Sequence, residues 1–309
     1  MITRIVRPLL IVLLAAGAAY AVHWQAAQTA QAQSMERMQR AVTVAHDAQA
    51  AALQVLSLHA EALAQDPAFV DYVVQSLQPN AALGGGIDRA SISDLLNARR
   101  HGYDVAMVLD AQGMPAALDG VLLKDKASIQ RDPLVTTALA SGKPSQGAWV
   151  FDGKLLWVSV HPLLRGGIVQ GALVAVQTVG ESYPALVARH TGVPAAVVVS
   201  GGAGFVMATQ HTLPGWAVQS LPELAGTLPP NDALPPNGRA LGVPGTDREQ
   251  PGWVLPVDAS GGRALVFLLG SDRPDGAAAR GETLLYGVIA LLALLALLAS
   301  VLGRRHRPR

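Results

Sequence analysis

The apolar positions change period several times along the chain, and each change marks an element. Leu9 to Val22 is continuously apolar and is preceded by Arg4 and Arg7. From residue 24 to residue 65 the pattern thins to a single stripe: Met35, Met38, Val42, Ala45, Ala48, Ala52, Leu56, Ala60 and Leu63. Spacings of three and four without Gly or Pro predict one long helix with a narrow buried face. Forty helical residues reach about 60 Å at 1.5 Å per residue, so such a helix must run along two stacked modules or pair with another chain. Asp66-Pro67 punctuates it, because Asp is a favoured N-cap and Pro a favoured first helical residue. A second helix, PAFVDYVVQSL, begins there. Gly84-Gly85-Gly86 predicts a loop, and Ser91-Ile92-Ser93-Asp94 resembles a capping box opening a third helix that ends near His101-Gly102.

The period then becomes that of strands. Tyr103–Asp110, the turn Ala111-Gln112-Gly113 and a strand around Met114–Leu118 come first. Asp132-Pro133 caps a further helix, PLVTTALAS, which stops at Gly142. Gly147–Phe151 and Lys154–His161 flank Asp152-Gly153, a strong hairpin signal. Gly166-Gly167 turns the chain into Ile168–Val179. About five strands with peripheral helices define an α+β module. After a short helix at Glu181–His190 the order recurs in reduced form, with strands at Val193–Ser200, Phe205–Thr209, Arg239–Val243, Trp253–Asp258 and Arg263–Gly270. Leu213–Leu228 reads as irregular or helical, and a Pro-rich loop follows it to Pro236. Pro162 before Gly166-Gly167 and Pro256 before Gly261-Gly262 match locally, so two copies of one architecture are expected.

Charge placement sets the topology. Thr283 to Leu302 is twenty residues without a charge, long enough for a hydrocarbon core of about 30 Å. Gly303–Arg309 follows with four arginines. The N-terminal apolar run reads either as a signal anchor or as a signal peptide cleaved after Ala21, and the unbroken helical pattern beyond it favours the anchor. Arg4, Arg7, Arg304, Arg305, Arg307 and Arg309 leave 17 of the 23 Lys and Arg between the spans, against all 22 Asp and Glu, a net of −5 (17 minus 22). By the positive-inside rule both termini are cytoplasmic and residues 23–282 face outward. A two-span membrane protein with an outward-facing ectodomain is expected, which in a bacterium means the inner membrane and the periplasm. The segments are 1–23 (cytoplasmic N-terminus and transmembrane helix 1), 24–65 (stalk helix), 66–180 (membrane-distal module), 181–275 (membrane-proximal module), 283–302 (transmembrane helix 2) and 303–309 (basic tail). The formal total of +1 excludes a large basic surface for nucleic acid, and the absence of cysteine excludes thiolate metal sites and disulfides.

Three stretches carry a family likeness: LAQDPAFVDYVVQSL, then YDVAMVLDAQGMPAA, then RDPLVTTALASGKPSQGAWVFDGKLLWVSVHPLLRGGIVQGALVAV. With the long helix and two flanking spans, residues 24–275 resemble the double Cache sensor domain of bacterial transmembrane receptors, more closely in the first module than in the second. The resemblance implies an α+β fold with a long N-terminal helix along two stacked PAS/Cache-like antiparallel sheets. It also implies small-molecule binding in the distal module and dimerisation through the long helix. Members of the family normally continue into a kinase, cyclase or chemoreceptor module, whereas seven residues follow the second apolar segment here. Any relay is therefore expected to use a separate signalling protein.

Candidate site residues come from hairpin arithmetic. A two-residue turn at Asp152-Gly153 pairs Phe151 with Lys154, Trp149 with Leu156 and Ala148 with Trp157. One face then holds Trp149, Phe151, Leu156, Val158 and Val160 and is expected to pack on the long helix. The other holds Ala148, Val150, Trp157, Ser159 and His161, whose aromatic, hydroxyl and imidazole groups suit a ligand. A three-residue turn would send Trp149 to the pocket instead. Tyr103, Lys124 and Arg131 sit at strand starts or in the connecting loop, where a cation can hold a carboxylate. Lys124 and Lys126 alternating with Asp125 equally fit a solvated loop. The scattered histidines lack metal-ligand spacing, Gly201–Gly204 is no phosphate loop, and no G-x-S-x-G elbow is present. The expectation is a non-enzymatic sensor of a small molecule, a carboxylate among the candidates, without cofactor or metal. The competing readings are an accessory envelope protein that binds another protein through the same ectodomain, and a receptor truncated after its second span.

Overall fold

The computed structural model describes residues 3–81, 84–99, 102–120, 126–201, 204–209, 213–245, 249–270 and 290. Two compact units divide the chain: Met1–Arg37 with Ser271–Arg309, and Met38–Gly270. In the first, the described residues are Ala290 and the part of the first helix, α1 (Thr3–Ala64), that ends at Arg37; the rest of α1 belongs to the second. The apolar run from Leu9 to Val22 lies inside α1. No helix among the described residues is long and apolar enough to cross a membrane, and the expected second span, 283–302, lies outside them apart from Ala290.

Met38–Gly270 holds two sheets. Helices α2 (Pro67–Ser76) and α3 (Arg89–Arg99) lead into β1 (Val105–Asp110) and β2 (Pro115–Asp119). Next come α4 (Lys126–Gln130), α5 (Pro133–Ser141), β3 (Ser145–Phe151), β4 (Lys154–Arg165) and β5 (Ile168–Thr178). The second set is α6 (Ser182–Thr191), β6 (Ala195–Gly201), β7 (Gly204–Thr209), α7 (Gly215–Thr227), β8 (Arg239–Pro244), β9 (Glu249–Val257), β10 (Ala259–Ser260) and β11 (Ala264–Leu269). The first sheet has the order β10-β3-β4-β5-β1-β2 and the second β7-β6-β11-β9-β8. Apart from the two-residue β10, both read third-fourth-fifth-first-second strand of their own set. The duplication suggested by the proline and double-glycine endings is therefore one of topology.

Period-two alternation distributes each sheet between two cores. Ala106, Val108, Leu155, Trp157, Leu173 and Ala175 of the first sheet join Val197, Val199, Leu255, Val266 and Leu268 of the second around the stripe of α1, including Leu56 and Ala60. The opposite face of the first sheet, with Met107, Trp149, Leu156, Val158 and Val174, packs on Val135 and Ala138 of α5. The opposite face of the second, with Val198, Leu265 and Phe267, packs on Ala217, Leu221 and Ala225 of α7.

Local chemistry explains the element ends. Asp66 and Asp132 accept from the amides of Ala68 and Leu134 at 2.9 and 3.0 Å, each followed by Pro at the first helical position. Gly142 ends α5 in the left-handed region at φ 62°, as its sequence position predicts. The third helix starts earlier than expected. Asp88, rather than Ser91, caps it, accepting from the Ser91 amide at 3.1 Å and the Ser91 hydroxyl at 2.8 Å. Those two bonds hold the Asp88 carboxyl below its ordinary pKa. The short helix α4 and strand β10 carry too few residues to announce a period, and neither is expected from sequence.

β10 ties the two sheets. Ala259 and Ser260 pair in parallel with Ala148 and Trp149 at the edge of the first sheet. The Ser260 hydroxyl donates to the Asp132 carboxylate. A Cβ on Gly262 would come within 2.5 Å of Ser200 Oγ and 2.8 Å of Val150 Cγ1, so the loop approaches this closely only with glycine there.

The two Asp-Pro caps make a test. Asp66→Ala removes one capping bond at a half-exposed site and should cost about 1 kcal/mol. Asp132→Ala removes the same bond and also strips the Ser260 hydroxyl of its acceptor in a buried setting, and should cost about 2 kcal/mol or more. Urea unfolding of the two variants, compared with the parent chain, measures the difference; equal losses would show that β10 is not held through Asp132.

Candidate functional site

The hairpin register is the one the two-residue turn dictates, with Phe151 opposite Lys154, Trp149 opposite Leu156 and Ala148 opposite Trp157. Asp152 takes φ 48° and Gly153 φ 68°, the positive values that a tight hairpin turn of this kind requires. The membership of the two faces is as expected, but their orientation is reversed. Trp149, Leu156, Val158 and Val160 pack on α5, and Trp157 belongs to the core around α1. Both faces carry enough apolar area to be buried, so alternation fixes which residues share a face without fixing which helix covers it.

On the α1 side, Trp157 stands edge-on to Tyr183, with ring centroids 6.0 Å apart. The Tyr183 hydroxyl donates to the Ala45 carbonyl of α1 at 3.2 Å, and burial pushes its phenol pKa up. Two residues on from Trp157, Ser159 is fully buried, and His161 follows it on the same face at 2% exposure. His161 Nε2 lies 3.1 Å from both Ser159 Oγ and Ser57 Oγ of α1. The imidazole therefore links β4 to the long helix. Burial lowers its pKa, and the negative charge of Glu61 opposes that shift.

Beyond His161 opens a cavity of about 500 Å³ between the end of α1, the start of α2 and β4. Its polar lining is Glu61, Gln65, Asp71, His161 and Arg165. Gln65 donates to Glu61 at 2.6 Å, and Arg165 Nε lies 3.0 Å from the Asp71 carboxylate, with both partners of that pair more than half exposed. The cavity thus has a cationic rim at Arg165, an acidic wall at Glu61 and Asp71, and a neutral imidazole at its base. Such a lining matches a small polar molecule with both donors and acceptors.

Of the other sequence candidates, Tyr103 is buried in the core around α1, and Trp149 is fully buried on the α5 side. Arg131 is exposed just past α4, its Nε donating to the Ala127 carbonyl in the first turn of that helix. Lys124 lies outside the described residues. The structure therefore brings Trp157, Ser159 and His161 together and places Tyr103, Arg131 and Trp149 elsewhere. Sequence reasoning missed Ser57, Glu61, Asp71 and Arg165. Ser57 and Glu61 are one turn apart beside the stripe residues Leu56 and Ala60, a polar pair hugging a buried face, which is the one signal that pointed to them. No group of three or more His, Asp or Glu among the described residues is arranged to hold a metal ion.

No protein-family model matches the chain, and no curated protein does. Among solved structures it is similar to the ligand-binding domain of the Pseudomonas aeruginosa amino acid chemoreceptor PctC in complex with GABA, at 16% identity over 78% of this chain and 99% of that one, with a TM-score of 0.40. It is also similar to the sensory domain of the Campylobacter jejuni chemoreceptor Tlp3, at 13% identity over 79% and 96%, with a TM-score of 0.48. A third is the periplasmic domain of Vibrio cholerae LuxQ, at 12% identity over 74% and 97%, with a TM-score of 0.45.

The buried imidazole has a measurable consequence. An unfolded histidine titrates near pH 6.5, and the native His161 titrates lower, so below about pH 6.5 the unfolded chain takes up a proton that the native chain refuses. The contribution of His161 is complete above that pH and is lost as the pH falls from there toward its native value. His161→Asn should flatten the fall in urea midpoint between pH 7.5 and pH 5; an unchanged slope would mean that His161 is not buried neutral.

Proposed function

We propose that the chain is a membrane-anchored periplasmic sensor that binds a small carboxylate in the cavity between α1, α2 and β4 and relays the bound state to a separate partner protein. The observation that carries this reading is the convergence of Arg165, His161, Glu61 and Asp71 on a cavity walled by the long helix itself. Arg165 is the carboxylate-binding group, a planar fork suited to two parallel bonds. His161 and Glu61 meet the ligand's donors. A ligand at this position works against the Ser57–His161–Ser159 linkage, so it acts on the seat of α1 on β4 directly. The relay depends on unequal affinity for two seatings of that helix, because a ligand that binds both equally shifts nothing.

Anchoring belongs to the same proposal. The charge-free segments at Leu9–Val22 and Thr283–Leu302, with six flanking arginines and an acidic middle, support two spans with both termini cytoplasmic. Tyr20 and Trp24, one helical turn apart at the outer end of the first segment, are both exposed and suit the membrane–water interface. The segment boundaries follow from this: stalk 24–65, modules 66–180 and 181–275, and tail 303–309. Val55 and Leu58 are more than half exposed on α1 and support a homodimer through the long helix.

The second reading, an accessory protein that binds another envelope protein, is favoured by a different observation. The face of the first sheet under α5 is closed by Trp149, Met107, Leu156, Val158 and Val174, which leaves it an apolar core. Ligand titration separates the two. The full-length chain in detergent should show a concentration-dependent rise in melting temperature with at least one member of a panel of small carboxylates, since a ligand that binds only the folded state stabilises it. Arg165→Ala should abolish that rise while leaving the unliganded melting temperature within about 1 °C, because an exposed ion pair contributes little. Indifference of the parent chain to the whole panel would favour the protein-binding reading.

A further inference from the structure

A second recess, of about 560 Å³, opens nearer the N-terminal end of α1, against the second sheet. Gln39, Thr43, His46 and Asp47 line it from successive turns of α1, and Asn237 and Trp253 line it from the other side. The four helix residues share one face by their spacing. Trp253, on β9, is fixed in place: its indole N–H donates to the Asn237 carbonyl at 2.8 Å, and Gly238 packs beside it. Gly238 has φ 71°, and a Cβ there would fall 2.7 Å from the indole nitrogen and 2.1 Å from the Val254 carbonyl oxygen. The loop is thus built to bring backbone against this tryptophan.

Two features give the recess a chemical preference. Its lining includes one carboxylate, Asp47, and no lysine or arginine, so its field favours a cation. The buried His46 Nε2 has no hydrogen-bond partner among the described residues. Buried polar atoms of native proteins are nearly always paired, and an imidazole nitrogen in the Nδ1–H tautomer offers a lone pair.

We propose that this recess binds a small organic amine, with its ammonium group against the Asp47 carboxylate and its carbon body on the Trp253 ring, the His46 side chain turning so that its now covered and unpaired Nε2 accepts one N–H. A cation near an indole face gains from the ring quadrupole, and a carboxylate beside it supplies a charge-assisted bond. The His46 bond selects for an ammonium that still carries a proton. The site is distinct from the cavity at His161 and lies on the same helix, so each is testable without the other.

Isothermal titration calorimetry of the full-length chain in detergent decides it, with ethanolamine, putrescine and phenethylamine as probes and tetramethylammonium as the comparator that cannot donate. At least one primary amine should bind, and tetramethylammonium should bind several-fold more weakly. Asp47→Asn, an exposed change that leaves the core intact, should weaken binding by about tenfold, as expected for loss of a charge-assisted pair. His46→Gln, which keeps an acceptor on a side chain of similar length, should retain more of the affinity than His46→Ala. The assignment is overturned if none of the primary amines binds, if Asp47→Asn binds as tightly as the parent, or if tetramethylammonium binds as tightly as the primary amines. The carboxylate titration is a separate measurement, so failure of either site leaves the other standing.

Discussion

One helix face serves two sheets. The stripe of α1 from Met38 through Val42, Ala45, Leu56 and Ala60 is buried in a core that draws strands from both sets. A narrow apolar stripe on an isolated helix of this length would not hold it in place in water, since helical stability in proteins comes mostly from packing. The reverse also holds: without α1, the inner faces of both sheets would present long rows of valine and leucine to solvent. Small residues at Ala41, Ala45 and Ala60 let the helix lie close, so a displacement of its axis is felt as lost packing on both sheets at once. That shared dependence makes the helix the part of the molecule through which a local event reaches both sheets.

Polar groups are spent sparingly inside this core, and they sit where the helix meets the strands. Ser57, Ser159 and His161 form one linkage and Tyr183 with Ala45 another, each joining α1 to a different element. Elsewhere the two sheets are joined by the backbone pairing of β10, and within the second set a network is built on a single residue. Arg263 donates to Asn231 Oδ1 at 2.7 Å and to the Leu228 carbonyl at 3.0 Å, and lies over the Phe205 ring. Asn231 in turn donates to the carbonyls of Val257 and Ala264, both at 3.1 Å. Arg263 thus closes the end of α7 onto the second sheet just after the loop whose β10 segment has joined the first. Substituting a hydrophobic residue there would leave several carbonyls unsatisfied, the costly side of hydrogen-bond accounting.

Much of this fold is legible in sequence because its punctuation is chemical. Asp-Pro pairs start helices, Gly142 stops one, and Asp152-Gly153 fixes a seven-pair register in the hairpin. Asp88 shows the limit of that reasoning. Ser91 and Asp94 have the form of a capping box, yet the carboxylate three residues upstream of Ser91 outcompetes it as the acceptor for the first turn. The repeated topology was visible only as two prolines and two glycine pairs, since the side chains between them serve different neighbours in the two sheets.

The candidate site was half legible for a reason specific to sheets buried on both sides. Alternation groups Trp157, Ser159 and His161 with certainty once the turn is known, because a one-residue slip would invert every side chain. What alternation does not carry is the identity of the helix above each face. The inference that the more apolar face seeks the long helix failed because α5 is itself apolar, with Val135 and Ala138 fully buried against Trp149 and its neighbours, whereas α1 brings Ser57 to meet His161. A polar pair on a helix stripe and a polar row on a strand are each unremarkable alone. Their value lies in complementarity: a buried histidine needs a partner, and among the described residues α1 supplies one in Ser57, beside its apolar stripe. Matching unsatisfied polar groups between elements, rather than ranking faces by hydrophobicity, is therefore what orients a doubly covered sheet.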